Sequence, residues 1–154
     1  MTALADAQNN EVDMFIREAL EKALSRSALP GEHEEEFGAA DIAAAAAFLG
    51  TTANGRQPGR SAIAIETLGE GATGRFMRIA IINDDMPFLV DSIANTLAAA
   101  DITIHRLFHP ILSVKRNADG ALSAILDDDA PGARRESMIY IETDRADAKA
   151  RRAL

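Results

Sequence analysis

Near the start of the chain, apolar positions recur at helical spacing. Val12, Phe15, Ile16, Ala19, Leu20, Ala23 and Leu24 follow the i, i+3, i+4, i+7, i+8 pattern, and Arg17, Glu18, Glu21 and Lys22 take the opposite face. Pro30-Gly31 ends this helix. Residues 1–10 are small and polar and are expected to be disordered. The run Glu32-His33-Glu34-Glu35-Glu36 reads as a solvated linker. A second helix is predicted over residues 39–49, nearly all alanine, with a narrow stripe of Ile42, Phe48 and Leu49. Gly50 is expected to stop it, and residues 51–60 read as loop.

Beyond Arg60 the period changes to two, or to unbroken apolar runs. Ala62, Ile63, Ala64, Ile65 and Leu68 suggest a strand, and residues 76–82 suggest a second, apolar on both faces and therefore central. Asn83-Asp84-Asp85 offers a helix cap with Pro87 in the first turn. The helix that follows buries Leu89, Val90, Ile93, Ala94 and Leu97 and closes near Asp101. A third strand runs from Ile102 through Val114, interrupted by Pro110, which implies a bulge or an edge position. The turn Asn117-Ala118-Asp119-Gly120 leads to a short return strand at 122–126. A polar loop at 127–135 precedes a strand at 137–143, and Asp144 could cap a last helix.

With the short return strand at 122–126 left aside, the order from residue 76 onward is β-α-β-β-α, an α+β, ferredoxin-like sandwich read as cut inside its last helix, before a final strand. A right-handed crossover is expected between its first two strands. The strand at 61–68 could occupy the slot of the final one, beside 76–82. Ile65 and Ile79 on unpaired strands would refute this.

Composition narrows the function. The chain has 154 residues, 47% hydrophobic but only 5% aromatic, and much of the apolar share is alanine, so the core should be thin. The net charge of −8 runs against a phosphate-binding surface, which excludes nucleic acid as a partner. With no cysteine there is no disulfide scaffold or thiolate metal site. Neither a secretion signal nor a charge-free apolar stretch of membrane-spanning length is present, so the cytoplasm is the expected location and no membrane partner is expected.

The stretch Asn83-Asp84-Asp85-Met86-Pro87-Phe88-Leu89-Val90-Asp91-Ser92 resembles a signature of the large bacterial NAD-specific glutamate dehydrogenases. Phe37-Gly38-Ala39-Ala40, the block His109 through Arg116 with Asp119-Gly120, and Glu136 through Glu142 resemble further blocks of that family in the same order. The resemblance implies a segment of a very long enzyme that converts L-glutamate, NAD and water to 2-oxoglutarate, ammonia and NADH. Its catalytic domain lies far downstream, and ACT-like βαββαβ modules, which often bind amino acids at subunit interfaces, precede it. The chain then divides into a disordered 1–10, a helical extension 11–59 and an ACT-like domain 60–154. No catalytic site, cofactor or metal is expected in this segment, and NAD belongs to the parent. Its partners are the rest of the parent chain, the other subunits and, as an alternative role, a free amino-acid effector.

Asp85-Met86-Pro87 followed by Leu89 is similar to the ACT turn between first strand and first helix, and Ile102-Thr103-Ile104 to the start of the second strand; Asp84 and Phe88 belong to the same turn. These are the candidate effector or interface residues. Effector-binding ACT domains usually carry glycine after that proline, where backbone amides approach a carboxylate. Here Phe88 is expected to fill the pocket or to seal an interface.

The remaining motifs have plainer readings. Residues 69–74 match G-x-G-x-x-G, but the next segment reads as a strand, so no helix terminus faces a pyrophosphate and a hairpin loop is expected. His33-Glu34-Glu35-Glu36-Phe37 lacks the second histidine of a zinc helix. His105 and His109 lie four apart on a strand, roughly 13 Å, too far to share one ion. Structural roles are expected for them, one imidazole at a bulge and satisfied by backbone. Asp127-Asp128-Asp129 lacks the alternating ligands of a calcium loop and reads as a solvated turn. Asp84 and Asp85 could be paired acid/base carboxylates, but capping is the simpler account, and Asp91 could join that cap.

Overall fold

The computed structural model describes residues 2–27, 37–54, 56–69, 76–128 and 130–153. Helices α1 (Thr2–Ser27) and α2 (Ala39–Ala53) precede strands β1 (Ala62–Leu68) and β2 (Phe76–Asp84). Then follow α3 (Leu89–Ala99), β3 (Ile104–Phe108), β4 (Ile111–Arg116), β5 (Leu122–Leu126), β6 (Arg134–Asp144) and α4 (Ala148–Ala153). The expected α+β class holds. The linker at 32–36 and Pro30-Gly31 lie outside the described residues.

The sheet runs β1-β2-β6-β4-β5, with β3 also on β6, and all its pairs are antiparallel. Ile65 pairs with Ile79, so β1 fills the slot beside β2 that the last strand of a βαββαβ unit would take. The unbroken apolar stretches 79–82 of β2 and 138–141 of β6 make them interior strands, as dry faces on both sides require.

β3 and β4 lie on one edge of β6 in a single register, Phe108 opposite Tyr140 and Ile111 opposite Ser137. Pro110 splits them because it has no N–H to return the bond that its carbonyl accepts from Met138 at 2.9 Å. The register shift itself falls between Ile104 and Arg106, at His105, and not at the proline.

The two faces of the sheet carry separate cores. One joins Ile16, Leu20 and Leu24 of α1 and Ala45, Ala46 and Leu49 of α2 to Ala80, Ile82, Phe108, Val114, Met138 and Tyr140. The other sets Leu97 of α3, Ile102 and Ala146 against Met77, Ile79, Ile81, Ile139 and Ile141. Alternation along each strand delivers its side chains to these two layers in turn.

Two helical boundaries differ from expectation. Residues 2–10, expected to be disordered, are helical and extend α1, since nothing in them breaks a helix that later residues anchor. Gly50 does not stop α2, which runs on to Ala53. Leu49 and Ala53 on either side of Gly50 are buried, so packing against the core carries the helix through it. At the other end of α2, the Gly38 N–H donates to Asp41 Oδ2 at 2.9 Å.

A row of alternating charges crosses the sheet on the α2 side. Glu66 of β1 faces Arg78 of β2, Arg78 faces Glu142 of β6, and Glu142 faces Arg106 of β3. Arg78 Nε donates to Glu66 Oε2 at 2.7 Å and Arg106 Nε to Glu142 Oε2 at 3.2 Å. The guanidiniums lie 4.3 Å from the ring centre of Phe48 and 4.2 Å from that of Phe37, respectively.

At the opposite end of the sheet, Glu136 is buried and accepts from two arginines. Arg56 Nη1 reaches Oε1 at 2.6 Å, while Arg116 Nε reaches Oε1 at 2.9 Å and Arg116 Nη2 reaches Oε2 at 2.8 Å. Arg56 Nη2 lies 3.0 Å from Asp84 Oδ1, a charge contact outside hydrogen-bond geometry. Arg116 Nη1 also donates to the carbonyls of Ala53 and Gly120 at 2.7 and 2.5 Å. The cluster therefore ties the end of α2 to β4, β6 and the hairpin turn.

In that turn Gly120 has φ 88°, and a Cβ on it would lie 2.8 Å from the Arg56 carbonyl oxygen. Gly120→Ala is expected to cost about 2–4 kcal/mol, from the left-handed backbone and the forced separation of the two segments. Chemical denaturation measures it. A midpoint unchanged from wild type would mean that the turn moves away without cost.

Candidate functional site

The turn that joins β2 to α3 carries most of the residues singled out from sequence. Asp84 ends β2 opposite Glu136 and contacts Arg56. The Asp85 N–H donates to the Arg135 carbonyl at 3.2 Å, and its carboxylate lies 3.4 Å from Arg135 Nε. Asn83 Nδ2 is 3.8 Å from the Met86 sulfur. Pro87 is exposed, and Leu89 opens α3 with its side chain partly buried in the core beneath.

The expected cap does not form. Phe88, not an aspartate, is the N-cap, and no side chain caps the helix. Pro87 pushes Met86 towards extended backbone, so the helix begins only after the turn. Asp84 and Asp85 are drawn instead to arginines, and Asp91 stands exposed in the first turn of α3. Nor does Phe88 fill a pocket. It is 76% exposed and left-handed, with φ 62° and ψ 10°.

Ile102, Thr103 and Ile104 lie at the far end of α3. Asp101 N–H donates to the Ala98 carbonyl at 3.0 Å, and Ile102 N–H to that of Leu97 at 2.9 Å. This closes the helix with Asp101 left-handed and Ile102 buried. The Thr103 carbonyl accepts from Asp144 N–H at 3.1 Å, and Ile104 joins the α3 core. The helix between has 11 residues, about 16 Å of rise, so one chain does not bring the two candidate groups together. They line different hollows. One of about 290 Å³ is formed by residues 85–91 with His109 and Ile111, and one of about 400 Å³ by Ile102, Thr103 and Ile104 with Ala94, Ala98 and Asp101.

The histidines hold separate partners, and these are side chains, not the expected backbone groups. His105 sits at the bulge with Nε2 2.5 Å from Asp144 Oδ1, and this hydrogen bond holds the Asp144 carboxyl below its usual range. His109 Nε2 lies 2.6 Å from Ser137 Oγ. Ser137 is fully buried, so the pair offers no nucleophile to a substrate. Among the described residues no group of three or more His, Asp or Glu could hold a metal.

Burial lowers the pKa of His109, against the opposing charge of Asp85. The unfolded chain therefore takes up this proton at higher pH than the folded one. The contribution to stability is complete above about pH 6.5 and is lost as pH falls through that value towards the folded pKa. His109→Gln is expected to flatten the decline of stability from pH 7 to pH 5, read by urea midpoints. A wild-type stability that rose on acidification would contradict the assignment.

Of the glycine run, residues 70–74 lie outside the described residues. The strands on either side of it pair with each other, Leu68 opposite Phe76, which begins β2. The described segment after the run is the strand β2 and not the helix that a dinucleotide fingerprint requires.

Residues 24–154 match the family described as "Glutamate dehydrogenase, ACT1 domain". The chain belongs to this ACT1-domain family. It is 41% identical over 70 residues to the NAD-specific glutamate dehydrogenase of Halomonas elongata, and 40% identical over 69 residues to that of Pseudomonas aeruginosa. Each alignment covers 44% of this chain and 4% of the relative, so the chain spans a small part of those proteins. No solved structure matches it.

Sequence reasoning on this ACT1 domain did not single out the Arg56–Glu136–Arg116 cluster as a unit. Its members are 80 and 20 residues apart, and no local spacing announces them. The one available signal was ionised residues directly flanking apolar strands, where burial demands partners.

Proposed function

We propose that this ACT1 domain is an architectural and regulatory module of a cytoplasmic NAD-dependent glutamate dehydrogenase. The parent would convert L-glutamate, NAD and water to 2-oxoglutarate, ammonia and NADH with catalytic groups that lie elsewhere in its chain. The domain's partners are then the rest of that chain and the other subunits. The observation that carries this reading is Phe88, an exposed aromatic in left-handed conformation where an anion-binding turn needs open backbone. The two carboxylates of the same hollow, Asp85 and Asp91, would repel an amino acid's carboxylate.

The second reading is an amino-acid sensor at Asp85, Met86, Pro87, Phe88 and Leu89. The hollow there, with His109 at its wall, is the observation in its favour. Thermal melts with each of the common amino acids separate the two. A ligand at 100 times its dissociation constant adds about 2.7 kcal/mol, several degrees for a chain of this size. Melting temperatures unmoved by every amino acid are expected. A saturable rise that Asp85→Ala abolishes would replace the architectural reading with the sensor.

A further inference from the structure

We propose that the apolar hollow between α3 and β1 is the seat of an amphipathic helix that continues α4 in the parent chain. The hollow is about 210 Å³ and is lined by Ile63, Ile65, Ile79, Ile81, Ile93 and Leu97. No described residue fills it, and Ile63 at its rim is 58% exposed. Ser92 and Thr96 also line it, and the Thr96 hydroxyl donates to the Ser92 carbonyl at 2.8 Å. The α3 wall therefore asks for apolar cover more than for a polar ligand.

The path of α4 decides the occupant. β6 ends with Asp144 opposite Phe76, and Leu68 of β1 faces Phe76 from the other side. The chain thus leaves the sheet where β1 finishes and β2 begins. From there it turns onto the α3 face, with Ala146 buried in that core and Ala150 packed against it. Ala150 and Ala153 share a second hollow with Thr96, Ala99 and Ala100 of the α3 end, while Arg151 Nη1 donates to Thr67 Oγ1 at 3.2 Å. α4 therefore lies with α3 on one side and β1 on the other. Thr67, Ile65 and Ile63 alternate onto this face, opposite Met77, Ile79 and Ile81. The apolar hollow is the same gap farther in, and Thr96 lines both. A helix that enters at the end of the sheet stays on it only by going on over Ile65 and Ile63.

Length and chemistry follow from this path. The strand from Thr67 back to Ile63 spans about 13 Å, which about nine helical residues cover. The occupant is therefore about two to three further turns, apolar towards Ile79 and Ile81, small towards Ser92 and Thr96, and polar outward. The α4 sequence Ala-Lys-Ala-Arg-Arg-Ala contains no glycine or proline to end it. A net charge of −8 on each chain opposes a second copy as the cover. The proposal names the part of the parent that this domain holds and rests on the architectural reading. An amino acid that raised the melting temperature would sink that reading and leave the thiol rates below unmoved.

The test compares the 154-residue chain with the same chain lengthened by the roughly twenty residues that follow it in the parent. The chain has no cysteine, so single thiols report on the hollow. Ile63→Cys probes its β1 wall and Ser92→Cys its α3 wall, with exposed Ser25→Cys of α1 as the control. Any cysteine of the added segment is changed to serine. Lengthening is expected to slow alkylation of both hollow thiols by N-ethylmaleimide at least about tenfold and to leave the Ser25→Cys rate unchanged. It should also raise the melting temperature by about 5–10 °C. Ile63→Glu in the longer chain should restore fast labelling of Ser92→Cys and cancel the rise. Equal rates in the two lengths, or slow labelling that survives Ile63→Glu, would overturn the proposal. So would protection in the shorter chain that grows with its concentration, which would assign the hollow to a second copy.

Discussion

Glu136→Ala is expected to lower stability by about 3–5 kcal/mol and the melting temperature by on the order of 10 °C. Glu136 is 1% exposed and Arg56 3% exposed, so removal of the carboxylate leaves two guanidiniums facing each other with little water to screen them. The cost comes from the orphaned charges more than from the lost bonds. The triple change Arg56→Met, Glu136→Leu, Arg116→Met should therefore recover part of the loss, because it removes the orphaned charges, while the Ala53 and Gly120 carbonyls lose their arginine donor. Differential scanning calorimetry of the two variants decides. A Glu136→Ala protein that melts like wild type would mean that water reaches the cluster.

Removal of residues 1–36 is expected to abolish cooperative unfolding. That segment contains α1, whose Ile16, Leu20 and Leu24 are buried in the core shared with α2 and the sheet. Each such side chain contributes about 1.5–3 kcal/mol, and a domain's whole stability is about 5–15 kcal/mol. The loss also exposes Leu49 and the alanines of α2, which leaves one side of the sheet poorly covered. Broad melting and binding of a hydrophobic dye should follow. Leu20→Ala alone should cost about 2–5 kcal/mol. A shortened chain that melts cooperatively within a few degrees of the full one would make α1 a separable extension.

Much of the fold was legible because it rests on periodicity. The runs of β2 and β6 are apolar at consecutive positions, which only a strand between two cores accommodates, and Leu89, Ile93 and Leu97 mark the inner side of α3. Pairing of β1 with β2 followed from a short connection between two apolar runs. Helix boundaries were less legible, because tertiary contact overrides local preference. Gly50 reads as a stop, but buried Leu49 and Ala53 on either side of it hold α2 on the core, and residues 2–10 carry no period of their own.

At the candidate site the turn was legible and its conformation was not. Asp84 and Asp85 have the chemistry of caps, yet arginines from distant strands claim them. The separation of Phe88 from Ile102 depends on the length of α3. That the two groups sit at opposite ends of a helix was implicit in the sequence, but the family resemblance drew them together.

The row Glu66–Arg78–Glu142–Arg106 also selects among alternative foldings of the same strands. A slip of one residue would turn every side chain to the wrong face, which the cores already forbid. A slip of two keeps the faces and is the more dangerous error, since aliphatic side chains exchange places cheaply. In that misalignment of β2 on β6, Glu142 would face Ala80 or Phe76, and a slipped β3 would set it against Phe108 or Ile104. A carboxylate stranded among hydrocarbon is thus the signal that rejects the slipped sheet, and four ionised residues proofread an alignment that apolar packing alone would leave degenerate.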